Sequence, residues 1–338
     1  MDRSFPPFYY PTNIVLLDDD TNFLKHFSLL LDPRLPCRLY NSTAAALEQI
    51  NGQRSLSHSF SELTNVTISD DADEHTYVDL NSIHRLVYDN DRFSQITVAI
   101  IDYDMPEMNG IEVCRKINHP EIKKILLTGK ADEKLAVEAF NSGLIHQFIQ
   151  KGSDNVDKHI NQAVEKLQLE YFSDVTSSIP ITLANGAASF LADRGFNRKV
   201  AKLIRDNRIV EFYLWENPKG LLMLDGSGNA EFMFVISEEV LNTHYDMAQA
   251  CQAPGELLKL IKGKNHVPWF PTADGYYNND CPPDWRSHLY EVDFTCGNNE
   301  HNYCSLVSPP PLDTLKASRI QSFESYLKSF DEKYSRLL

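Results

Sequence analysis

Fourteen residues, Thr97–Gly110 (TVAIIDYDMPEMNG), limit the fold of this chain more than any other stretch. An apolar run, Val98–Ile101, stops abruptly at Asp102, passes through a Met-Pro turn and reaches Gly110, where a helical pattern opens. A short β-branched run bounded by turn residues reads as a strand covered on both faces, as in a parallel sheet. Asp102 then stands at the carboxyl end of that strand, the edge on which open α/β sheets carry their ligands.

The surrounding sequence repeats the pattern. Ile14–Leu17 is an apolar run ending in Asp18, Asp19 and Asp20, after which Thr21 opens an amphipathic helix with Phe23, Leu24, Phe27, Leu30 and Leu31 on its apolar side. Arg38–Tyr40 is a weaker strand and Thr43–Ile50 a helix. Beyond Thr97–Gly110 come a helix over Gly110–Ile117 and a strand over Lys124–Leu127 closed by Thr128. A helix over Asp132–Asn141 stopped by Gly143 follows, then a strand over Gln147–Gln150 that ends at Lys151. Strands alternating with helices at this spacing predict a doubly wound, five-stranded parallel sheet.

That sheet sends Asp18, Asp19, Asp102, Thr128 and Lys151 to one edge. Three crowded carboxylates repel each other and call for protons or a divalent cation. An oxygen-rich site with few protein ligands suits Mg²⁺, which accepts a phosphate oxygen beside its waters. With Asp102 as nucleophile, the metal and the Lys151 ammonium would neutralise a phosphoryl group while the Thr128 hydroxyl donates to it. Carboxylates that form aspartyl phosphates are a known class of nucleophile, and positioning with charge stabilisation does most of such catalysis.

The motifs LLDDD (16–20), IIDYDMPEMNG (100–110), LLTGKA (126–131) and QFIQK (147–151) give residues 13–172 a resemblance to the receiver domain of two-component response regulators. The resemblance implies a flavodoxin-like fold, phosphorylation of Asp102 by a sensor histidine kinase, and Mg²⁺ held by Asp18, Asp19, Asp102 and the backbone carbonyl of Asp104. It also implies Thr128 and Lys151 as catalytic groups, Thr128 and Phe148 as the switch pair, and Asp104 and Lys130 as positions that tune dephosphorylation. Phosphorylation is then expected to favour a homodimer through 132–172. Two departures stand out. Lys151 precedes Gly152 where receivers carry a proline, and about forty extra residues (51–95) separate the second helix from the central strand. That insertion reads as a surface excursion with one helix over Asp79–Asp89, and secondarily as a partner-docking element.

At 338 residues the chain has room for two domains. The expected division is a receiver over 1–173 and an α+β output domain over 174–338, joined where the helix Asp154–Phe172 runs into SDVTSSIP. In the second half, Leu183–Asp193 and Asn197–Asn207 read as helices. Glu211–Trp215, Leu221–Leu224 and Glu231–Ile236 form an antiparallel meander with strong turns between them. A hairpin of His288–Phe294 with Asn302–Val307 and a closing helix over Thr314–Leu327 complete the domain.

Net charge is −15, with 26 acids against 16 bases in 1–170 and 21 against 16 in 171–338, so neither half carries a broad phosphate-binding footprint. The basic run Arg198–Arg208 reads as a solvated helix face, and direct DNA recognition is not the expected output. No P-loop, GxSxG, HExxH, GGDEF, EAL or HD-GYP pattern marks an enzymatic output, although a receiver-gated enzyme or nucleotide-binding output is the alternative to control through a downstream protein partner. Cys281, Cys296, His301 and Cys304 lie within 24 residues but lack a CxxC knuckle, so buried thiols are expected there before zinc. Dilute cysteines, the absence of a membrane-length apolar run and an opening segment without a signal-peptide core lead to the expectation of a cytoplasmic protein. A lower-order resemblance links the layout to quorum-sensing regulators whose output domain lacks a familiar DNA-binding motif.

Overall fold

The structure, a computed structural model, describes residues 5–56, 65–70, 73–78, 81–129, 133–176, 188–297 and 301–334. From the N-terminus come β1 (Phe8–Tyr9), β2 (Asn13–Leu17), α1 (Thr21–Ser28), β3 (Cys37–Tyr40) and α2 (Thr43–Asn51). The insertion supplies β4 (Asn65–Asp70), β5 (Asp73–Val78) and α3 (Asn81–Arg85). Then follow β6 (Ile96–Asp102), α4 (Gly110–Lys116), β7 (Lys123–Thr128), α5 (Glu133–Asn141), β8 (Gln147–Gln150) and α6 (Val156–Thr176).

Five of these strands form a parallel sheet in the order β3-β2-β6-β7-β8. Alternation along the strands feeds two cores. Val15, Leu17, Ala99, Ile101 and Leu126 pack on one side, and Ile14, Leu16, Val98, Ile100, Ile125 and Leu127 on the other. This is the doubly wound flavodoxin-like sheet expected from the sequence. Its register pairs Leu17 with Ile101, Asp102 with Leu127 and Thr128 with Gln150. The residue that ends each strand therefore emerges at the same edge.

The second half begins with α7 (Arg194–Asp206), followed by the meander β9 (Ile209–Trp215), β10 (Gly220–Asp225) and β11 (Ala230–Ser237). Helices α8 (Glu238–Ala250) and α9 (Gly255–Lys262) precede β12 (His266–Pro268), β13 (Leu289–Glu291), β14 (Phe294–Cys296) and β15 (Asn302–Val307), and α10 (Phe323–Tyr334) closes the described chain. One sheet runs β1-β9-β10-β11-β15-β14, with β9, β10, β11, β15 and β14 antiparallel.

Three expectations need correction. The hairpin partner of β15 is Phe294–Cys296, whereas Leu289–Glu291 pairs with His266–Pro268 in a separate two-stranded sheet. The closing helix is split into a 3₁₀ turn at Ala317–Arg319 and α10. The insertion, expected to carry one helix, also carries the β4–β5 hairpin, with Asn65 opposite Val78 and Asp70 opposite Asp73. The expected helix over Leu183–Asp193 falls partly outside the described residues, of which 189–192 form a 3₁₀ turn.

Contacts divide the chain into two compact units, and the division is not one cut near 173. One unit takes residues 9–63, 89–178 and 323–338, and the other takes 1–8, 64–88 and 179–322. In the latter unit His84 stacks on Trp215 at 4.1 Å, and Leu214 N–H donates to the Pro7 carbonyl. In the former, Phe323 and Tyr326 lie 5.2 and 5.3 Å from Phe93, and the Tyr326 hydroxyl donates to Asn13 Oδ1 at 2.9 Å.

Candidate functional site

Asp18 follows β2 and Asp102 ends β6, and both carboxylates are buried, whereas Asp19 is exposed. One oxygen from each of the three lies within 4.8 Å of the others. The strand ends position Asp18 and Asp102, and α1 starts directly after the Asp18–Asp20 turn. Asp20 caps α1, accepting from the N–H groups of Asn22 (2.8 Å) and Phe23 (3.2 Å), while its own N–H donates to Asp18 Oδ1 at 2.9 Å.

Lys151, just past β8, brings its Nζ within 2.6 Å of Asp18 Oδ2 and 2.8 Å of Asp102 Oδ1. Three carboxylates against one ammonium leave two negative charges at the edge. Burial pushes the Asp102 carboxyl above its usual range, and the neighbouring Asp18 charge adds to that, outweighing the Lys151 hydrogen bond. Burial acts to lower Lys151, but its bonds to Asp102 and Asp18 more than offset this and hold it charged. The two directions agree: one ammonium shared by two acids is well satisfied, whereas the surplus acid is not. Hard oxygen donors with a residual charge of about two units fit a divalent cation. Receivers typically bind Mg²⁺ through such an acidic cluster.

The other predicted positions fall around this cluster. Thr128 is buried at the end of β7, and its carbonyl accepts the Lys151 N–H at 3.0 Å. Asp104 is exposed on the loop after β6. Phe148 is half-buried, edge-on to Phe140 of α5 with ring centres 6.3 Å apart. Lys130 lies outside the described residues. Two contributions were not legible beforehand. The Phe23 ring lies 4.2 Å under the Lys151 ammonium, a cation–π contact that steadies its aim. Gly110 touches the back of the site, since a Cβ there would stand 2.2 Å from the Asp102 carbonyl oxygen. In the sequence alone Phe23 reads as part of the apolar side of α1 and Gly110 as a helix start.

The cysteine-rich cluster does not assemble. Among the described residues the aspartate trio is the only group of three or more metal-capable side chains. Cys296 and Cys304 meet, but Cys281 and His301 do not join them. Among the described residues no helix is long and apolar enough to cross a membrane.

A family model, the response regulator receiver domain, matches residues 74–164, a span that contains Asp102, Thr128 and Lys151 but starts after Asp18 and Asp19. No curated protein matches the chain. Among solved structures, the Legionella pneumophila response regulator LqsR is 34% identical, with 98% of this chain and 99% of that one covered at a TM-score of 0.81. An adenylate cyclase structure from Rhodopirellula baltica (22% identity, 49% of this chain and 93% of that one, TM-score 0.34) aligns over about half the chain. So does a CheY-like receiver domain protein from Methanospirillum hungatei (20% identity, 47% and 96%, TM-score 0.32). The LqsR likeness runs through both units at family-level identity, so the chain belongs to the phosphorylation-activated response regulators.

Proposed function

We propose that Asp102 accepts a phosphoryl group from a sensor histidine kinase and that the acyl phosphate switches the contacts of residues 132–172. The observation that carries this reading is the convergence of Asp18, Asp19, Asp102 and Lys151 on one sheet edge. Asp18, Asp19 and Asp102, with the Asp104 carbonyl, would hold Mg²⁺. The ion, when bound, supplies positive charge against the phosphoryl oxygens.

The chain's own groups do the rest. Asp102 Oδ attacks phosphorus from a fixed position at the end of β6, and the phosphorus–nitrogen bond to the kinase histidine breaks with the imidazole as leaving group. Lys151, released from its bridge to the carboxylates, neutralises a phosphoryl oxygen, with Phe23 behind it. The Thr128 hydroxyl donates to another oxygen, and its inward movement leaves room for Phe148 to follow. Such a switch is a population shift between two states, biased by the contacts that the phosphate makes in only one of them. Val137 and Phe140 on α5 and Leu169 on α6 are exposed apolar side chains, which suits a homodimer face. The output then engages a downstream protein partner in the cytoplasm, in the manner of the quorum-sensing subgroup.

Acetyl phosphate or beryllofluoride with Mg²⁺ tests the reading. Wild type should take up one phosphoryl group from acetyl phosphate and change its oligomeric state with either reagent, and Asp102→Asn should do neither. A wild-type chain that stays unlabelled while folded would leave the carboxylates as mere ion-pair partners of Lys151.

A further inference from the structure

The hairpin β14–β15 places two thiols side by side at the edge of the antiparallel sheet. Cys296 is opposite Asn302 and Phe294 is opposite Cys304, so the two cysteines are diagonal neighbours on one face. Their sulfurs are 3.8 Å apart and both side chains are buried. Helix α7 covers the same face: Phe196 approaches Phe294, and Lys199 sets its ammonium 4.8 Å over the Phe294 ring and donates to the Thr295 carbonyl at 3.2 Å. A cation therefore sits one residue from Cys296.

We infer that Cys296 and Cys304 are a modification site, a dithiol that a hydroperoxide converts to an intrachain disulfide. Closing the bond takes the sulfurs from 3.8 Å to about 2.05 Å, and the short edge strand β14 shifts with it. The chemistry balances. The Cys296 thiolate attacks the peroxide oxygen and expels hydroxide or alkoxide, leaving a sulfenic acid. The Cys304 thiol then attacks that sulfur, and the hydroxyl leaves as water. Two thiols and one hydroperoxide give one disulfide, one water and one alcohol, or two waters from hydrogen peroxide; a dithiol reductant reverses the reaction.

The environments divide the roles. The Cys304 thiol, as hydrogen-bond donor, and Lys199 hold Cys296 below the usual thiol range, against its burial and the Asp193 carboxylate. The Cys296 partner and burial push Cys304 up. Cys296 is the attacking sulfur and Cys304 the resolving one. Burial pushes Cys37 and Cys114 up to about 12, which makes them poor competitors.

Residues 287–316, one tryptic peptide, contain Cys296 and Cys304 and no other cysteine. The full chain, treated with equimolar hydrogen peroxide and then alkylated under denaturing conditions, should yield this peptide two hydrogens lighter and unalkylated, with the change reversed by dithiothreitol. Amides of Phe294–Cys296 should then exchange roughly tenfold more slowly, since the edge can no longer open freely. In Cys304→Ala, dimedone should trap Cys296 as the sulfenic acid. In Cys296→Ala, with fold checked by circular dichroism, dimedone should leave Cys304 unmodified. Recovery of the peptide with two alkylated cysteines, or a bond to Cys251 or Cys281 instead, overturns the assignment.

Discussion

Gly110 shows how one missing side chain shapes the site. Its Cα faces the Asp102 carbonyl, and an added methyl would also meet Leu126 Cδ1 at 2.8 Å. The backbone of β6 cannot yield without moving Asp102. Gly110→Ala should cost about 3 kcal/mol in a denaturant melt, and acetyl-phosphate labelling of Asp102 should fall with it. His244 makes a separate prediction. Its ring is buried on α8 beside Tyr276, with Nδ1 unpartnered. Burial lowers its pKa from 6.5 to about 4, against the pull of Asp274. The unfolded chain therefore binds this proton first as pH falls. The contribution is complete above about 6.5 and is lost between there and 4, up to about 3 kcal/mol. The stability difference between wild type and His244→Phe, followed by urea melts from pH 7 to 4, should move in favour of the variant by that order. A difference that stays flat would mean the ring protonates without unfolding cost.

Among the elements, α5 carries the test of the dimer. Phe140 is 48% exposed and Val137, one turn before it, 38%. Phe140→Asp should leave phosphoryl uptake at Asp102 near the wild-type level while abolishing the phosphorylation-dependent shift in size-exclusion chromatography with light scattering. Retention of the shift would place the dimer elsewhere. The elements also show which patterns can be read locally. The meander β9–β11 was legible because Asn217–Gly220 and Asp225–Asn229 join neighbouring strands by short turns; Asp225 accepts from the N–H groups of Ser227 and Asn229, both at 2.9 Å. The partner of Leu289–Glu291 was not, because it lies more than twenty residues back at His266–Pro268. An alternating pattern announces a strand without saying which edge it will meet.

For the whole molecule, the interleaving of the units carries its own prediction. Phe323 and Phe330 are buried in the unit that holds Asp102, and Tyr326 bonds to Asn13 at the start of β2. Ending the chain after Ser322 should lower that unit's stability by roughly 3–6 kcal/mol, from about 1.5–3 kcal/mol for each buried phenylalanine. Hydrogen exchange of β2 and β6 amides is the measure. Likewise a fragment starting at residue 174 lacks residues 64–88, including the His84 ring on Trp215, and should not unfold cooperatively by itself.

By itself, the sequence determined the parallel sheet and its chemical edge, because Asp18, Asp102 and Thr128 each directly follow an apolar run that reads as a strand, and Lys151 follows the shorter strand pattern QFIQ. Once the strands lie parallel, those residues have nowhere else to go. Only the tertiary structure decided that residues 64–88 and 323–334 belong to the opposite unit from their chain neighbours, that Phe23 backs Lys151, and that two cysteines eight positions apart come into contact. Each of these depends on which distant face a segment covers, and burial against a distant partner leaves no periodicity in the segment's own residues.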